Sequence, residues 1–272
     1  MAEPDLEVLA RRAVGGDRAA LDELVGAISD DVYRLAIRML GHPADAEDAS
    51  QEILVKVVTH LGSFRGESGL RTWVWKVAAN HLASVRRSRR ELPGLSFETF
   101  EGMLEAGLEA GTAESPDDPL LEEEVKLGCT HMMLLCLDRE HRAAFVLAEV
   151  MDLSGEEGAE VLGISPAAFR KRVSRARRRL RAFMTRNCGL VSDMAACHCR
   201  RQVGPSIASG LIDPEQLLYA LHPERARADP AARRAYEAIE GARRSLAVLR
   251  SHPDYAAPAA VRERIRALLS GG

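Results

Sequence analysis

Two clusters of side chains in this sequence could do chemistry. The first is cationic. Between Ser165 and Cys188 the chain carries no acid, while seven arginines stand from Arg170 to Arg181. On a wheel of about 3.6 residues per turn, Phe169, Val173, Ala176 and Leu180 share one stripe. Lys171, Ser174, Arg175 and Arg178 fall opposite, with Arg170 and Arg172 on the flanks. Such a face suits a polyanion, because guanidinium groups pair with phosphates and can read guanine edges through two hydrogen bonds. The second cluster is sulfur: Cys188, Cys197 and Cys199, with His198 between the last two. Thiolates and imidazole are ligands for zinc or copper(I), although C-x-C is not the usual C-x-x-C spacing. Arg200 and Arg201 would instead lower thiol pKa values and favour redox sensing. Inert thiols are the third reading.

The elements that position these groups are marked by their ends. Ser165 is an N-cap and Pro166 sits at the first helical position, where its missing N–H costs nothing. Upstream, Ser154 and Glu157 form a capping box that opens a short helix from Gly155 to Leu162. Gly163-Ile164 makes a tight turn, with Ile164 plugging the corner. Short helix, Gly turn and basic helix together predict a helix-turn-helix, whose second helix enters the DNA major groove.

Earlier in the chain, Asp5–Val14 predicts a first helix, and Asp17 caps a long one. There Leu21, Leu24, Val25, Ile28, Val32, Leu35, Ala36 and Met39 repeat at helical spacing. Gly41-His42-Pro43 ends it. A helix from about Ala44 to Leu61 follows, apolar at Ile53, Leu54, Val57, Val58 and Leu61. Its first turns carry Asp45, Glu47, Asp48, Gln51 and Glu52. These complement the helix dipole and also make a face able to bind a basic partner. After a Gly- and Ser-rich turn, a helix from Leu70 to about Arg90 holds both tryptophans, Trp73 and Trp75, and ends in Arg86-Arg87-Ser88-Arg89-Arg90. Aromatics beside cations suit single-stranded nucleic acid. The two rings cannot share a helix face, so one of them belongs to the core.

The chain has 272 residues and a formal charge of −3, but the charge is segregated. No Lys or Arg lies between Arg90 and Lys126, where acids accumulate around Gly, Pro and Ser. That stretch predicts an acidic linker with a weak helix near Phe97–Leu108. Few aromatics and many helix formers predict an all-α protein. The absence of an apolar leader or membrane-length run predicts a cytoplasmic protein with no membrane contact. Five cysteines suit a reducing compartment. No HExxH motif is present and no general base pairs with the thiols, so the reading is not that of an enzyme.

Three motifs in order resemble the bacterial RNA polymerase sigma factors of the extracytoplasmic-function group. They are Asp45-Ala46-Glu47-Asp48-Ala49-Ser50-Gln51-Glu52, then Phe64-Arg65-Gly66-Glu67-Ser68-Gly69-Leu70-Arg71-Thr72-Trp73, then the helix-turn-helix. Leu137-Asp138-Arg139-Glu140-His141-Arg142 is similar to the family's entry to its last domain, with Asp138 where Pro is common. Leu54 and Val58 stand where the family often has aromatics, and Gly158 where it usually has Ile. The resemblance covers about Asp17–Arg186. It implies a sigma region 2 helical domain at 1–92, the acidic linker at 93–124 threading the polymerase cleft, and a region 4 domain at 125–187.

By the same resemblance, Asp45, Glu47, Asp48, Gln51 and Glu52 dock on the core RNA polymerase. The Phe64–Leu70 loop, with Arg65, Trp73, Asn80, Arg86 and Arg87, takes the −10 element as an unpaired strand. Arg170, Lys171, Ser174 and Arg175 contact the −35 element of promoter DNA, and Arg178 holds phosphate. An anti-sigma factor is a further partner, and no cofactor is required. The alternative function is a helix-turn-helix repressor or activator that works without polymerase.

Most members of the group end near residue 187, and this chain continues to 272. The cysteines resemble the cysteine-bearing tails of some members. Helices are predicted from Asp213 to His222, from Asp229 through Ala235, Ile239, Ala242, Leu246 and Leu249, and from Pro258 through Val261, Ile265, Leu268 and Leu269. Their narrow apolar stripes predict that they pack on one another or on the sigma domains, as a regulator acting in cis.

Overall fold

The computed structural model describes residues 5–85, 93–109, 118–220, 241–250, 252–253 and 255–270. Their secondary structure is helical: α1 (Leu6–Val14), α2 (Arg18–Leu40), α3 (Pro43–His60), a single 3-10 turn at Leu61–Ser63, α4 (Leu70–Ser84), α5 (Phe97–Glu109), α6 (Pro119–Leu135), α7 (Arg139–Glu149), α8 (Gly155–Leu162), α9 (Pro166–Asn187), α10 (Cys199–Ala208), α11 (Gly241–Arg250) and α12 (Ala259–Ser270). Among the described residues there is no strand; an isolated parallel bridge joins Cys188 and Cys197.

Side-chain caps set most of the starts. Asp5, Asp17, Asp118, Asp138, Ser154 and Ser165 each accept a backbone N–H from the first turn of the helix that follows. Each cap is worth about 1 kcal/mol. The long helix α2 buries its expected stripe and more: Tyr33, Ile37 and Leu40 are also inaccessible. The reason is tertiary. α3, α4, α6 and α7 all pack on α2, so that every residue from Leu35 to Leu40 is buried.

The two sigma-like halves therefore share one core. Arg142 of α7, 2 % exposed, is the main polar link. Its guanidinium donates to the carbonyls of Leu134, Leu135 and Leu137 around the α6–α7 turn and to that of Met39 in α2. Arg139 donates to the carbonyls of Leu82, Ala83 and Val85, closing the free end of α4 against α7. Helix α4 also packs along α8.

The expected linker helix is α5. It is docked rather than free: Phe100 stacks on Phe183 of α9 at 5.4 Å between ring centres, and Gln202 of α10 donates to the Leu104 carbonyl at 2.9 Å. Residues 110–117 and 86–92 lie outside the described set, so the expected extension of α4 through Arg90 does too.

The tail departs from expectation at one place. No helix runs from Asp213 to Ala220. Glu124 of α6, 2 % exposed, accepts the backbone N–H groups of Leu218, Tyr219 and Ala220 at 2.8, 2.9 and 2.7 Å, which holds that segment in an open, non-helical turn. Asp213 caps a turn at Glu215 and starts no helix. The helix that the sequence does not announce is α10. Of the two later helices, α12 begins at Ala259 as expected, and α11 begins at Gly241, residues 221–240 lying outside the described set.

Candidate nucleic-acid interface

The recognition element is built as its sequence demands. Ser154 and Glu157 form both arms of the capping box, and Ser154 holds the Glu157 carboxyl below its usual range. Gly163 ends α8 in the left-handed region at φ 62°, and Ile164 donates to the Ala159 carbonyl across the turn. Ser165 then caps α9 through the Ala168 N–H at 3.2 Å. Phe169, Val173, Ala176 and Leu180 are buried, all four on the expected stripe. Arg170, Lys171, Ser174, Arg175 and Arg178 are all exposed, on the side away from the core.

Three arginines beside that face are held by acids. Arg172 meets Glu140 at 2.6 Å, Arg179 meets Asp138 at 3.6 Å, and Arg177 Nε donates to Glu149 at 2.7 Å. Burial works against Asp138, yet the His141 amide and ring with Arg179 keep its carboxyl below the usual range. Asp138 thus replaces proline with a working N-cap. Arg170 has a 3.5 Å contact with Glu156, both groups being exposed.

Gly158 accounts for another departure from the family pattern. A Cβ there would lie 2.1 Å from the Phe169 ring. Phe169 fills the space that a larger residue on α8 would occupy, so the two positions exchange bulk.

The second expected surface centres on α4 and the loop before it. Trp75 is buried, as one tryptophan had to be. Trp73 is half-buried, its ring 5.8 Å from that of Phe64, and Arg65 and Asn80 are exposed. Arg86 and Arg87 lie outside the described residues. Inside this domain His81 sits against Lys56, whose ammonium donates to its ring at 2.7 Å; burial and Lys56 hold its pKa down.

The acidic face of α3 is not bare. Asp45, Glu47 and Gln51 are half-buried, and Asp48 and Glu52 are exposed. Helix α12 lies along α2 and α3. Arg264 donates to the Gln51 side chain at 3.0 Å, and Arg266 to Asp22 at 2.7 Å. The N–H of Ala257 donates to Asp30 at 2.9 Å. Val261 and Ile265 are buried beneath these contacts. Burial and Asp48 push the Glu47 carboxyl up, against the pull of Arg264.

The rest of the tail is fastened to the helix-turn-helix half. Arg250 of α11 donates to the Glu149 carbonyl at 2.7 Å and to its carboxylate at 3.2 Å, sharing that buried acid with Arg177. Tyr219 stacks on His131 at 4.8 Å and donates to the Gly41 carbonyl at 2.5 Å. His252 lies edge-on to His131 at 4.6 Å and touches the Thr130 hydroxyl.

The sulfur cluster differs from expectation in composition. Among the described residues no group of three or more His, Cys, Asp or Glu side chains is placed so that it could hold a metal ion. Cys188, Cys197 and Cys199 do face one cavity, of about 90 Å³. His198 does not line it; its ring lies over Gly189, where a Cβ would come within 2.4 Å. The fourth thiol in the cavity is Cys129 of α6, which sequence spacing gave no reason to single out. Burial pushes the Cys197 thiol up against the pull of Gln202 and Arg201, and pushes Cys199 up to about 12, which runs against the redox expectation. A reactive sensor thiol needs the opposite shift.

Glu124, Glu149, Tyr219 and His252 are the other residues that the sequence left unmarked. Their partners are distant in the chain, and nothing local distinguishes Glu124 from the acids beside it.

Comparison with known proteins is consistent along the first two thirds of the chain. The family described as Sigma-70 region 2 matches residues 24–91, and that described as Sigma-70, region 4 matches residues 127–180. The RNA polymerase sigma-H factor of Pseudomonas aeruginosa is 32 % identical over 177 residues, covering 62 % of this chain and 88 % of that protein. The RNA polymerase sigma factor YlaC of Bacillus subtilis is 30 % identical over 170 residues, covering 62 % and 95 %. Among solved structures, CnrH in complex with the cytosolic domain of CnrY aligns with a TM-score of 0.48 at 26 % identity, covering 66 % of this chain and 96 % of that one. No described helix is long and apolar enough to cross a membrane.

Proposed function

Because the chain belongs to the sigma-70 family, in its extracytoplasmic-function type, it is a transcription initiation factor and not an enzyme, and we propose that its own C-terminal extension holds it closed until released. In the open form, Arg170, Lys171, Ser174 and Arg175 read the −35 element and Arg178 holds phosphate. The Phe64–Leu70 loop with Arg65, Trp73 and Asn80, together with Arg86 and Arg87, captures the unpaired −10 strand. Binding that strand offsets the stacking lost on melting. Asp45, Glu47, Asp48, Gln51 and Glu52 dock on the core polymerase, in the cytoplasm. The role needs no cofactor; the tail cysteines are a place where zinc or copper would bind. An anti-sigma protein is a partner in addition to the tail.

One contact carries the closed-state reading: Arg264 of α12 on Gln51 of α3. It puts a cationic helix on the acidic face that the resemblance reserves for polymerase, so tail and polymerase compete there. The second sign is the packing of α4 on α8, which brings the two DNA-facing domains together instead of holding them apart.

The test is association with core polymerase and run-off transcription, comparing the full chain with its R264E/R266E variant. The expected result is start-site-specific transcript from both and several-fold tighter polymerase binding by the variant. No association from either form overturns the sigma-factor role assigned to these surfaces. Equal binding by both overturns the closure.

A further inference from the structure

Four of the chain's five cysteines converge on one cavity from three separate parts of the fold. Cys129 comes from the middle of α6, Cys188 from the end of α9, Cys197 from the following loop and Cys199 from the start of α10. The fifth, Cys136, is buried elsewhere at the end of α6. All five are free thiols.

The backbone around them is a compact knuckle. Cys188 ends α9 with its N–H on the Met184 carbonyl, and its own carbonyl accepts from Val191 and Ser192, both at 2.9 Å. Gly189 donates to the Cys197 carbonyl at 2.8 Å, which sets Cys188 and Cys197 side by side in an isolated parallel bridge. Gly189 cannot carry a side chain, because His198 occupies that space. The histidine is thereby turned out of the cavity and the two flanking cysteines are turned in.

The remaining walls are mostly apolar, including Phe100, Met132 and Phe183, with Glu124, Asn187, Gln202 and Ser206 among them. Four sulfurs in such a pocket are the donor set of a structural tetrahedral zinc site. Arg201 acts on Cys197 and Lys126 on Cys199, where Glu122 opposes Lys126.

We propose that Cys129, Cys188, Cys197 and Cys199 bind one zinc ion, stapling the start of the C-terminal extension to α6. Binding takes rotation of each thiol about its Cα–Cβ bond toward the cavity centre. Four S–H bonds lose their protons to solvent, four zinc–sulfur bonds form, and no electron is transferred; the product is a dianionic tetrathiolate. The staple fixes α10 against α5 and α6, upstream of Glu124's hold on Leu218–Ala220. It is therefore independent of whether the tail competes with polymerase, and its failure would leave that reading standing.

The experiment uses the full chain, reduced, stripped with a chelator and titrated with Zn²⁺ or with Co²⁺ as a coloured probe. The expected result is one ion per chain, with sulfur-to-cobalt charge-transfer and tetrahedral ligand-field bands that Zn²⁺ bleaches. C129S should bind at least about 10-fold more weakly, since losing a ligand costs no less than losing a ligand's hydrogen-bond partner. H198N and C136S should bind like the wild type. Circular dichroism confirms that each variant retains its helices, and each can be read against C188S, which removes a ligand from the tail. Absence of the cobalt bands, wild-type affinity in C129S, or loss of binding in H198N would each overturn the site.

Discussion

Glu124→Ala is the sharpest test of how the tail is held. The Glu124 carboxylate is 2 % exposed and accepts three backbone N–H groups in a row, at 2.7–2.9 Å. Removing it leaves three buried donors with no acceptor. Each costs about 1 kcal/mol or more, so the segment Leu218–Ala220 should lose at least about 3 kcal/mol relative to its detached, hydrated form. At about 1.4 kcal/mol per tenfold, its opening equilibrium rises about 100-fold. Amide hydrogen exchange followed by mass spectrometry reads this directly: exchange at 218–220 should accelerate by that factor, while amides inside α2 stay protected. Glu124→Gln keeps one acceptor oxygen and should fall between. Tyr219→Phe removes the single bond to the Gly41 carbonyl and should accelerate exchange about 5–10-fold. If exchange at 218–220 were unchanged in Glu124→Ala, the carboxylate would not be the anchor, and the account of why this segment is not helical would fall with it.

Two further changes probe other parts of the argument. Gly158→Ala places a methyl group inside the Phe169 ring and should destabilise the helix-turn-helix by about 1–3 kcal/mol, seen as a lower midpoint in urea; Phe169→Leu in the same chain should restore most of it. Burial, His131, Arg38 and Lys126 hold the His252 pKa well below its usual value. The unfolded chain therefore takes up a proton that the folded chain refuses. The stability from this site is present above about pH 6.5 and is lost as pH falls below it. Urea unfolding at pH 7.5 and 5.5 should show a larger loss for the wild type than for His252→Gln, and equal losses would remove His252 as the cause.

What could be read in the sequence, and what could not, follows the range of the interactions involved. Ser154, Glu157, Gly163, Ser165 and Pro166 act within a few residues of themselves, so the helix-turn-helix and its exposed cationic face were legible. The stripe of α2 was legible too, but not that Tyr33 and Ile37 are equally buried, because that depends on α6 and α7 also packing on it. Asp213-Pro214 has the form of a helix start, and local preference alone favours one there. Glu124, almost a hundred residues earlier, takes the N–H groups that such a helix would have used. His198 was a reasonable ligand by adjacency, yet the close approach of Gly189 turns it away and admits Cys129, whose neighbourhood in sequence is only the apolar face of α6.

The closed form blocks one partner and leaves the other free. Acids occupy the arginines at the edges of α9, through Glu140, Glu149 and Asp138, but no tail residue is paired with Lys171, Arg175 or Arg178 among the described contacts, and all three are exposed. The tail instead lies on α3, at Gln51. DNA affinity and polymerase affinity should therefore respond differently to opening. In a non-specific duplex complex, with Arg170, Lys171, Arg175 and Arg178 each on a phosphate, binding by the full chain should weaken with a log–log salt slope of about −3 to −4. R264E/R266E should leave that slope unchanged while polymerase binding tightens. A wild-type chain with no salt-sensitive DNA affinity, restored by the same substitutions, would mean that closure hides the recognition face as well, and the separation argued from α9 and α12 would be wrong.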